Sequence, residues 1–203
     1  MHVDWYFDFV SPFCYLQWAH QLPQLEDVEI SCKPVLFAGL LKHWGQKGPA
    51  EISAKRKFTY RHVLWQARRY GVPFRLPAAH PFNPLPLLRA SIALDNRSSA
   101  IDRLFAYVWQ DGQLPSDAEP WQRLCKALGI TEDRLEDPAV KQALHESSDE
   151  AIERGVFGVP SLVAGGNVFW GLDGFAFFQD YLANPGIAMA PEMRAADELP
   201  IGV

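Results

Sequence analysis

Two hundred and three residues fit one generous domain, or a small domain carrying a large insertion. Apolar residues make up 48% and charged ones 21%, which excludes a disordered or low-complexity chain and leaves enough core to fold without a metal or disulfide staple. A formal charge of −5 argues against a general nucleic-acid binder, which is usually basic over its whole domain.

Residues 2–10 read as a buried strand in which Val3, Trp5, Phe7 and Phe9 alternate with polar or amphipathic neighbours. Ser11-Pro12 stops that strand and starts a helix, with Ser at the N-cap and Pro in the first turn. Tyr15, Trp18, Ala19 and Leu22 give the helix its apolar stripe, and residues 28–36 form a second strand. Strand, helix, strand predicts a βαβ unit with parallel pairing and a right-handed crossover. From about residue 40 to 155 the pattern turns helical, with helices predicted over 55–70, 85–94, 99–110, 121–128 and 138–154. Strands return at 161–164 and 168–170, joined through the hairpin turn Gly165-Gly166-Asn167, and a short helix covers 173–182. The tail beyond Asn184 carries Pro185, Pro191 and Pro200 and reads as an extended arm.

Three cysteines, Cys14, Cys32 and Cys125, are widely spaced and form no C-x-x-C pair, so no zinc knuckle or disulfide framework is expected. The first residues, with Asp4 and Asp8 and no basic run, do not read as a signal peptide. The uncharged stretch 155–172 holds Pro160 and five glycines, which is turn punctuation rather than a membrane span. Together these predict a soluble protein of the reducing cytoplasm.

The element order is βαβ, an all-helical block, then ββα. A thioredoxin-like α/β fold is βαβ plus ββα, and a helical domain spliced between its halves gives the DsbA-like plan. On that plan residues 1–39 and 156–183 are the split thioredoxin-like domain, 40–155 the inserted helical domain, and 184–203 the extended C-terminal arm.

Chemistry is expected where the first strand meets the first helix, at Phe9-Val10-Ser11-Pro12-Phe13-Cys14-Tyr15. Unpaired N–H groups and the macrodipole at a helix N-terminus stabilise a thiolate. Ser11 takes the first redox position, so two-thiol exchange lacks its nucleophile, but a hydroxyl there can hold a thiolate brought in from outside. Taken alone, Ser11-Pro12 fits a plain N-cap and helix-start proline better, because Ser-Pro before a helix is common. The Gly158-Val159-Pro160-Ser161 segment precedes the returning strand, where a cis-proline would expose the Val159 backbone to a peptide-like ligand. The other reading is a trans proline on an edge strand.

Five segments taken in order carry a family resemblance over about residues 3–183. They are Asp4-Trp5-Tyr6-Phe7-Asp8-Phe9-Val10-Ser11-Pro12-Phe13, Ala54-Lys55-Arg56, His80-Pro81-Phe82-Asn83-Pro84, Glu153-Arg154-Gly155-Val156-Phe157-Gly158-Val159-Pro160 and Phe169-Trp170-Gly171-Leu172-Asp173. The chain resembles the 2-hydroxychromene-2-carboxylate isomerases and the related kappa-class glutathione transferases, within the DsbA-like group. The resemblance implies glutathione as cofactor, with Ser11 holding its sulfur and Val159 pairing with its cysteinyl part. It implies that Trp170, Gly171, Leu172 and Asp173 take the γ-glutamyl end, and that Lys55 meets a glutathione carboxylate. Gln46 falls where the transferases carry Asn. Two departures are Gly174, where the family often has Arg, and Cys14, where many isomerases have Ser; the latter leaves a redox role open.

Between Lys42 and Tyr70 eight basic residues face one acid, Glu51, a local field that attracts an anionic peptide and a carboxylate substrate. Most of these read as a solvated helix face. Lys55 is the exception, because a cation at a helix start opposes the dipole and is better explained by a ligand. His80 and Asn83 either face substrate or cap the next helix. His20, His43, His62 and His145 lack metal-ligand spacing, so no metal is expected, and Cys32 and Cys125 read as inert core thiols.

The resemblance implies an isomerase that uses glutathione in reversible thiolate addition and elimination. Its substrate would be 2-hydroxychromene-2-carboxylate or a related unsaturated aromatic acid, in aromatic-compound breakdown. The alternatives are a kappa-type transferase or peroxidase, a DsbA-family oxidoreductase, and a binding module without turnover. The expected partners are glutathione and a small aromatic carboxylate, without nucleic acid or membrane, and self-association into a homodimer is left open. The substrate pocket is expected between the helical block and the thioredoxin half.

Overall fold

In the computed structural model, which describes residues 1–202, four strands form one mixed sheet in the order β2-β1-β3-β4. β1 (His2–Phe7) pairs parallel with β2 (Glu29–Pro34) and antiparallel with β3 (Ser161–Ala164); β3 pairs antiparallel with β4 (Asn167–Trp170). The βαβ and ββα halves thus share β1 and β3 as neighbours at the centre of the sheet. Gly165 and Gly166 turn the β3–β4 hairpin with φ of +54° and +81°, the primed-turn geometry that the Gly-Gly pair permits.

β1 is buried on both faces because each face has its own partner. Trp5, Phe7 and Phe9 pack with Trp18 and Phe105 in an aromatic layer, with ring centroids 4.3 to 6.4 Å apart. On the opposite face Asp4 and Tyr6 meet the C-terminal end of α8 (Pro138–Glu153). There Tyr6 donates to Glu150 at 3.0 Å, Lys33 pairs with Glu150 at 3.0 Å, and Arg154 pairs with Asp4. The polar half of the β1 alternation therefore meets protein charges instead of water. β1 ends at Phe7, three residues before the expected stop, because Asp8 turns the chain by accepting the Val10 N–H at 3.0 Å on Oδ1.

The first helix starts where Ser11-Pro12 predicts, but it is not regular. α1 (Pro12–Leu16) runs into a π turn over Gln17–Gln21 and a 3-10 turn over Leu22–Gln24. The wider turn rotates everything after it. Ala19, expected on the apolar stripe, is therefore exposed, while Gln17 and Gln21 face inward and are buried.

The middle of the chain is helical: α2 (Phe37–His43), α3 (Ser53–Tyr70), α4 (Leu85–Ala93), α5 (Ser98–Trp109), α6 (Ala118–Leu128), α7 (Glu132–Glu136) and α8. α2 and α7 are too short to show a period in the sequence. One apolar core runs through the sheet and this block, with Ile101, Leu104, Phe105, Val108 and Trp109 of α5 inside it.

α9 (Gly174–Ala183) follows β4, and the tail beyond it departs from the extended arm expected. It forms a 3-10 turn over Pro185–Met189 and a further helix, α10 (Pro191–Asp197). Both prolines sit in first turns, where a fixed φ and a missing N–H favour a helix start; Asn184 adds a cap to the Gly186 N–H at 3.1 Å.

Candidate active site at the first helix N-terminus

Tyr6 lies opposite Ser161 in the β1–β3 ladder, so the chain leaving β1 and the chain entering β3 run side by side. Carried two residues past the ladder, this register sets Pro160 and Val159 opposite Phe7 and Asp8, just before Ser11. The Val159–Pro160 bond is cis, as its place in the fold predicts, and His80–Pro81 is cis as well. Among the described residues neither the N–H nor the C=O of Val159 makes a hydrogen bond. An unspent donor and acceptor on one residue can pair with an extended ligand as a strand does.

Ser11 is the N-cap of α1, with its Oγ 3.4 Å from the Cys14 N–H, a long contact for such a cap. No acceptor among the described residues takes the hydroxyl proton. Two successive peptide planes fix the backbone that carries this hydroxyl. In the first, the Phe9 carbonyl accepts from Trp109 Nε1 at 2.9 Å and the Val10 N–H donates to Asp8 Oδ1. In the second, the Val10 carbonyl meets His80 Nε2 at 2.7 Å and the Ser11 N–H donates to the Asp8 carbonyl at 3.0 Å. A planar peptide held at both ends cannot rotate.

Asp8 is fully buried, and its second oxygen accepts the Phe37 N–H at 2.9 Å. Burial still pushes its carboxyl up to about 7. Cys14 is also fully buried, which raises its thiol far above the ordinary range. It stays protonated near neutral pH and offers no thiolate, so the redox role left open by its position has no reactive group behind it. Burial raises Cys32 and Cys125 too.

The segment from Trp170 to Asp173 lies next to the cis-proline, because the Gly171 N–H donates to the Pro160 carbonyl at 2.9 Å. Two buried glutamines of the π turn hold it from below. Gln17 donates to the Gly171 carbonyl at 3.2 Å and to Gln21 at 3.1 Å, and Gln21 donates to the Leu172 carbonyl at 2.9 Å. Trp5 Nε1 completes the set by donating to Gln17 at 2.8 Å. Leu172 is buried, so its backbone serves the scaffold. Trp170 is half exposed and stands edge-on to Phe157 at 5.3 Å. Asp173 is exposed and makes no ion pair among the described residues, so its carboxylate is free for an ammonium. Gly174 starts α9 against β4: a Cβ there would lie 3.3 Å from the Phe169 carbonyl carbon, a tight approach to the β4 backbone.

Gln46 is exposed on the turn after α2; Trp44, two residues before it, donates to the Val156 carbonyl at 3.0 Å, tying this turn to the segment that leads to Val159. Lys55 is exposed in the first turn of α3 and has no ion-pair partner among the described residues. α3 also meets Phe13, two residues from Ser11. The Phe13 ring lies 6.2 Å from His62, which lies 5.3 Å from Phe58 and 5.9 Å from Trp65. Phe58 and Trp65 are 66% and 54% exposed, so this row of rings leads from the Ser11 loop to solvent.

His80 does not cap the next helix, whose N-cap is Pro84. Both ring nitrogens are used inside the protein, Nε2 on Val10 and Nδ1 with the Tyr60 hydroxyl at 2.8 Å. Asn83 takes the capping alternative, its Oδ1 accepting the Leu85 N–H at 3.1 Å. One cavity of about 740 Å³ lies among α4, α6 and α7, and another of about 340 Å³ among α2, α4 and α8; neither is lined by Ser11, Val159 or Asp173. Ser11 and Val159 are buried, while Gln46, Lys55, Trp170 and Asp173 are exposed. Among the described residues there is no group of three His, Cys, Asp or Glu placed to hold a metal ion, and no helix is long and apolar enough to cross a membrane.

A family model of DSBA-like thioredoxin domains matches residues 2–183. A 2-hydroxychromene-2-carboxylate isomerase of Pseudomonas putida is 32% identical over 182 residues, covering 85% of this chain and 90% of the relative. Glutathione s-transferase kappa 2 of Caenorhabditis elegans is 29% identical over 213 residues, covering 90% and 92%. A solved 2-hydroxychromene-2-carboxylate isomerase superposes with a TM-score of 0.78 at 24% identity, covering 98% of this chain and all of that one, a likeness of fold.

Proposed function

The chain belongs to the DSBA-like thioredoxin family, among the relatives of 2-hydroxychromene-2-carboxylate isomerase, and from that premise we propose a glutathione-dependent isomerase of an unsaturated aromatic acid. The observation that carries the reading is the Val159 backbone, whose donor and acceptor are both unspent beside an N-cap hydroxyl with a proton to give. Glutathione lies along this edge. Its cysteinyl backbone pairs with Val159 and its thiolate takes the Ser11 hydroxyl at the N-terminus of α1. Its γ-glutamyl ammonium meets Asp173 beside Trp170 and Gly171, while Gln46 and Lys55 serve a carboxylate.

The thiolate adds to a carbon of the substrate double bond conjugated to a carbonyl. A C–S bond forms and the displaced electron pair moves to the carbonyl oxygen. The former double bond is now single and rotates; the electrons then return, the C–S bond breaks and the thiolate leaves unchanged. In 2-hydroxychromene-2-carboxylate the hemiketal opens first: its hydroxyl loses a proton and becomes the ketone, the ring C–O bond breaks and the phenol oxygen takes a proton. The cis alkene so formed is then conjugated to the ketone, and the addition, rotation and elimination turn it into trans-o-hydroxybenzylidenepyruvate. The row from Phe13 to Trp65 offers faces for an aromatic ring, and the basic residues of α3 offer charge for its carboxylate. Such chemistry belongs in the cytoplasm, where glutathione is held reduced. The relation to a kappa transferase favours one rival, conjugation of the same thiolate, which would consume glutathione.

Ser11→Ala tests the reading. A hydrogen bond to a charged group is worth roughly 1.5–3 kcal/mol, so turnover near neutral pH should fall about ten- to a hundredfold. The cap loss should cost only ~1 kcal/mol of stability. Full activity in this variant, with glutathione still required, would overturn the assignment.

A further inference from the structure

We propose that His80, aimed by Tyr60 of α3, is a positioning residue that sets the Ser11 hydroxyl. The inference rests on the proposed function and deepens it by naming what places its thiolate-holding group.

The Val10 carbonyl can only accept, so the His80 Nε2 facing it at 2.7 Å carries the proton. In the neutral ring Nδ1 is then a lone pair, and it accepts from the Tyr60 hydroxyl at 2.8 Å. Tyr60 also donates to the His80 carbonyl at 3.0 Å, so one hydroxyl proton, shared between Nδ1 and that carbonyl, grips both the ring and the backbone of His80. Phe82, Tyr60 and Trp109 pack around the ring at 6.1, 5.4 and 5.6 Å, and burial lowers the imidazole pKa, which keeps the ring neutral.

The peptide that His80 holds is the one that carries the Ser11 nitrogen. Its far end is pinned by the Asp8 carbonyl, and the next plane is held where the Ser11 carbonyl accepts from Cys14 at 3.1 Å. With both planes fixed, the Cα–Cβ bond of Ser11 has one direction, and of the staggered positions about it the one taken sets Oγ toward the Cys14 N–H. Without His80 the Val10 carbonyl keeps no partner among the described residues, and the first plane is free to tilt. A tilt of a few tenths of an ångström is enough to weaken a hydrogen bond to a bound thiolate. Trp109 does the same work one residue earlier, so the helical block grips two successive carbonyls of the loop.

The test reads the thiol pKa of bound glutathione from thiolate absorbance, together with kcat, in His80→Leu, His80→Gln, Tyr60→Phe and Ser11→Ala. His80→Leu should raise the bound-thiol pKa by about one unit and lower kcat about tenfold near neutral pH, with KM for the aromatic acid unchanged. His80→Gln keeps an N–H donor at the same reach and should stay within about twofold of the parent. Tyr60→Phe should fall between them. A folded His80→Leu protein with the parent thiol pKa, or a Gln variant no better than Leu, overturns the proposal. If His80→Leu fails to fold, Tyr60→Phe decides, and the parent value there overturns it. Ser11→Ala separates the two levels: if it raises the thiol pKa while His80→Leu does not, only the positioning role fails, and if it has no effect the site itself is wrong.

Discussion

Asp8→Asn should flatten the pH dependence of stability between about pH 4 and pH 7. In the folded protein burial lifts this carboxyl from 3.8 to about 7, although the Val10 and Phe37 N–H groups both pull it down. Across that window the native state keeps a proton that the unfolded chain has released. Stability falls with rising pH wherever the native state binds more protons, so the Asp8 contribution is most favourable below about pH 4 and is lost as pH climbs through 7. A change from 3.8 to about 7 is worth ~4 kcal/mol when complete, and half of that moves the Tm of a chain this long by roughly 4–8 °C. Asn keeps the shape and has no proton to lose. Thermal melts of parent and variant at half-unit steps from pH 4.5 to 8 read the effect as a difference, in which other titrating groups cancel. The parent should lose Tm relative to Asp8→Asn over this range. Parallel curves would show that Asp8 ionises in the fold as it does in water.

Further outcomes follow from the same geometry. Gly171→Ala puts a Cβ 2.6 Å from Asp173 Oδ1 at a φ of +78°, so it should cost ~1–3 kcal/mol in chemical denaturation and weaken glutathione binding by moving the Asp173 carboxylate. Cys14 should resist a thiol-alkylating reagent at pH 7.5 in the native protein and react once unfolded, because its thiol is buried and protonated; Cys14→Ser should keep isomerase turnover within about threefold. Rapid native labelling at Cys14 would reopen a redox role.

What was legible in the sequence was local. The alternation of β1, the Ser11-Pro12 cap, the Gly165-Gly166 turn and Val159-Pro160 each announce themselves within a few residues, and the order of elements then dictates the DsbA-like plan. What was missed depends on partners far along the chain. Trp109 holds the Phe9 carbonyl from 100 residues away, His80 holds Val10 from 70, and Gln17 reaches a loop 154 residues on. Two signals for the glutamines were present: they stand four apart, and they are polar where a regular helix would be mixed. The π turn hides them by shifting the apolar stripe, so that Ala19 is exposed where the stripe predicts burial and Gln17 is buried. Asp8 had a signal as well, a carboxylate just before a helix start, but its burial depends on Phe37 and on the helices behind it. The tail was misread because prolines that break an extended pattern also begin helices.

The decisive measurement follows 2-hydroxychromene-2-carboxylate by ultraviolet absorbance with the purified protein, with and without glutathione, and counts free thiols at the end. Glutathione-dependent isomerisation predicts conversion to trans-o-hydroxybenzylidenepyruvate only when glutathione is present, with the thiol count unchanged. Equal conversion without glutathione, no conversion with it, or one thiol lost for each substrate consumed would contradict it.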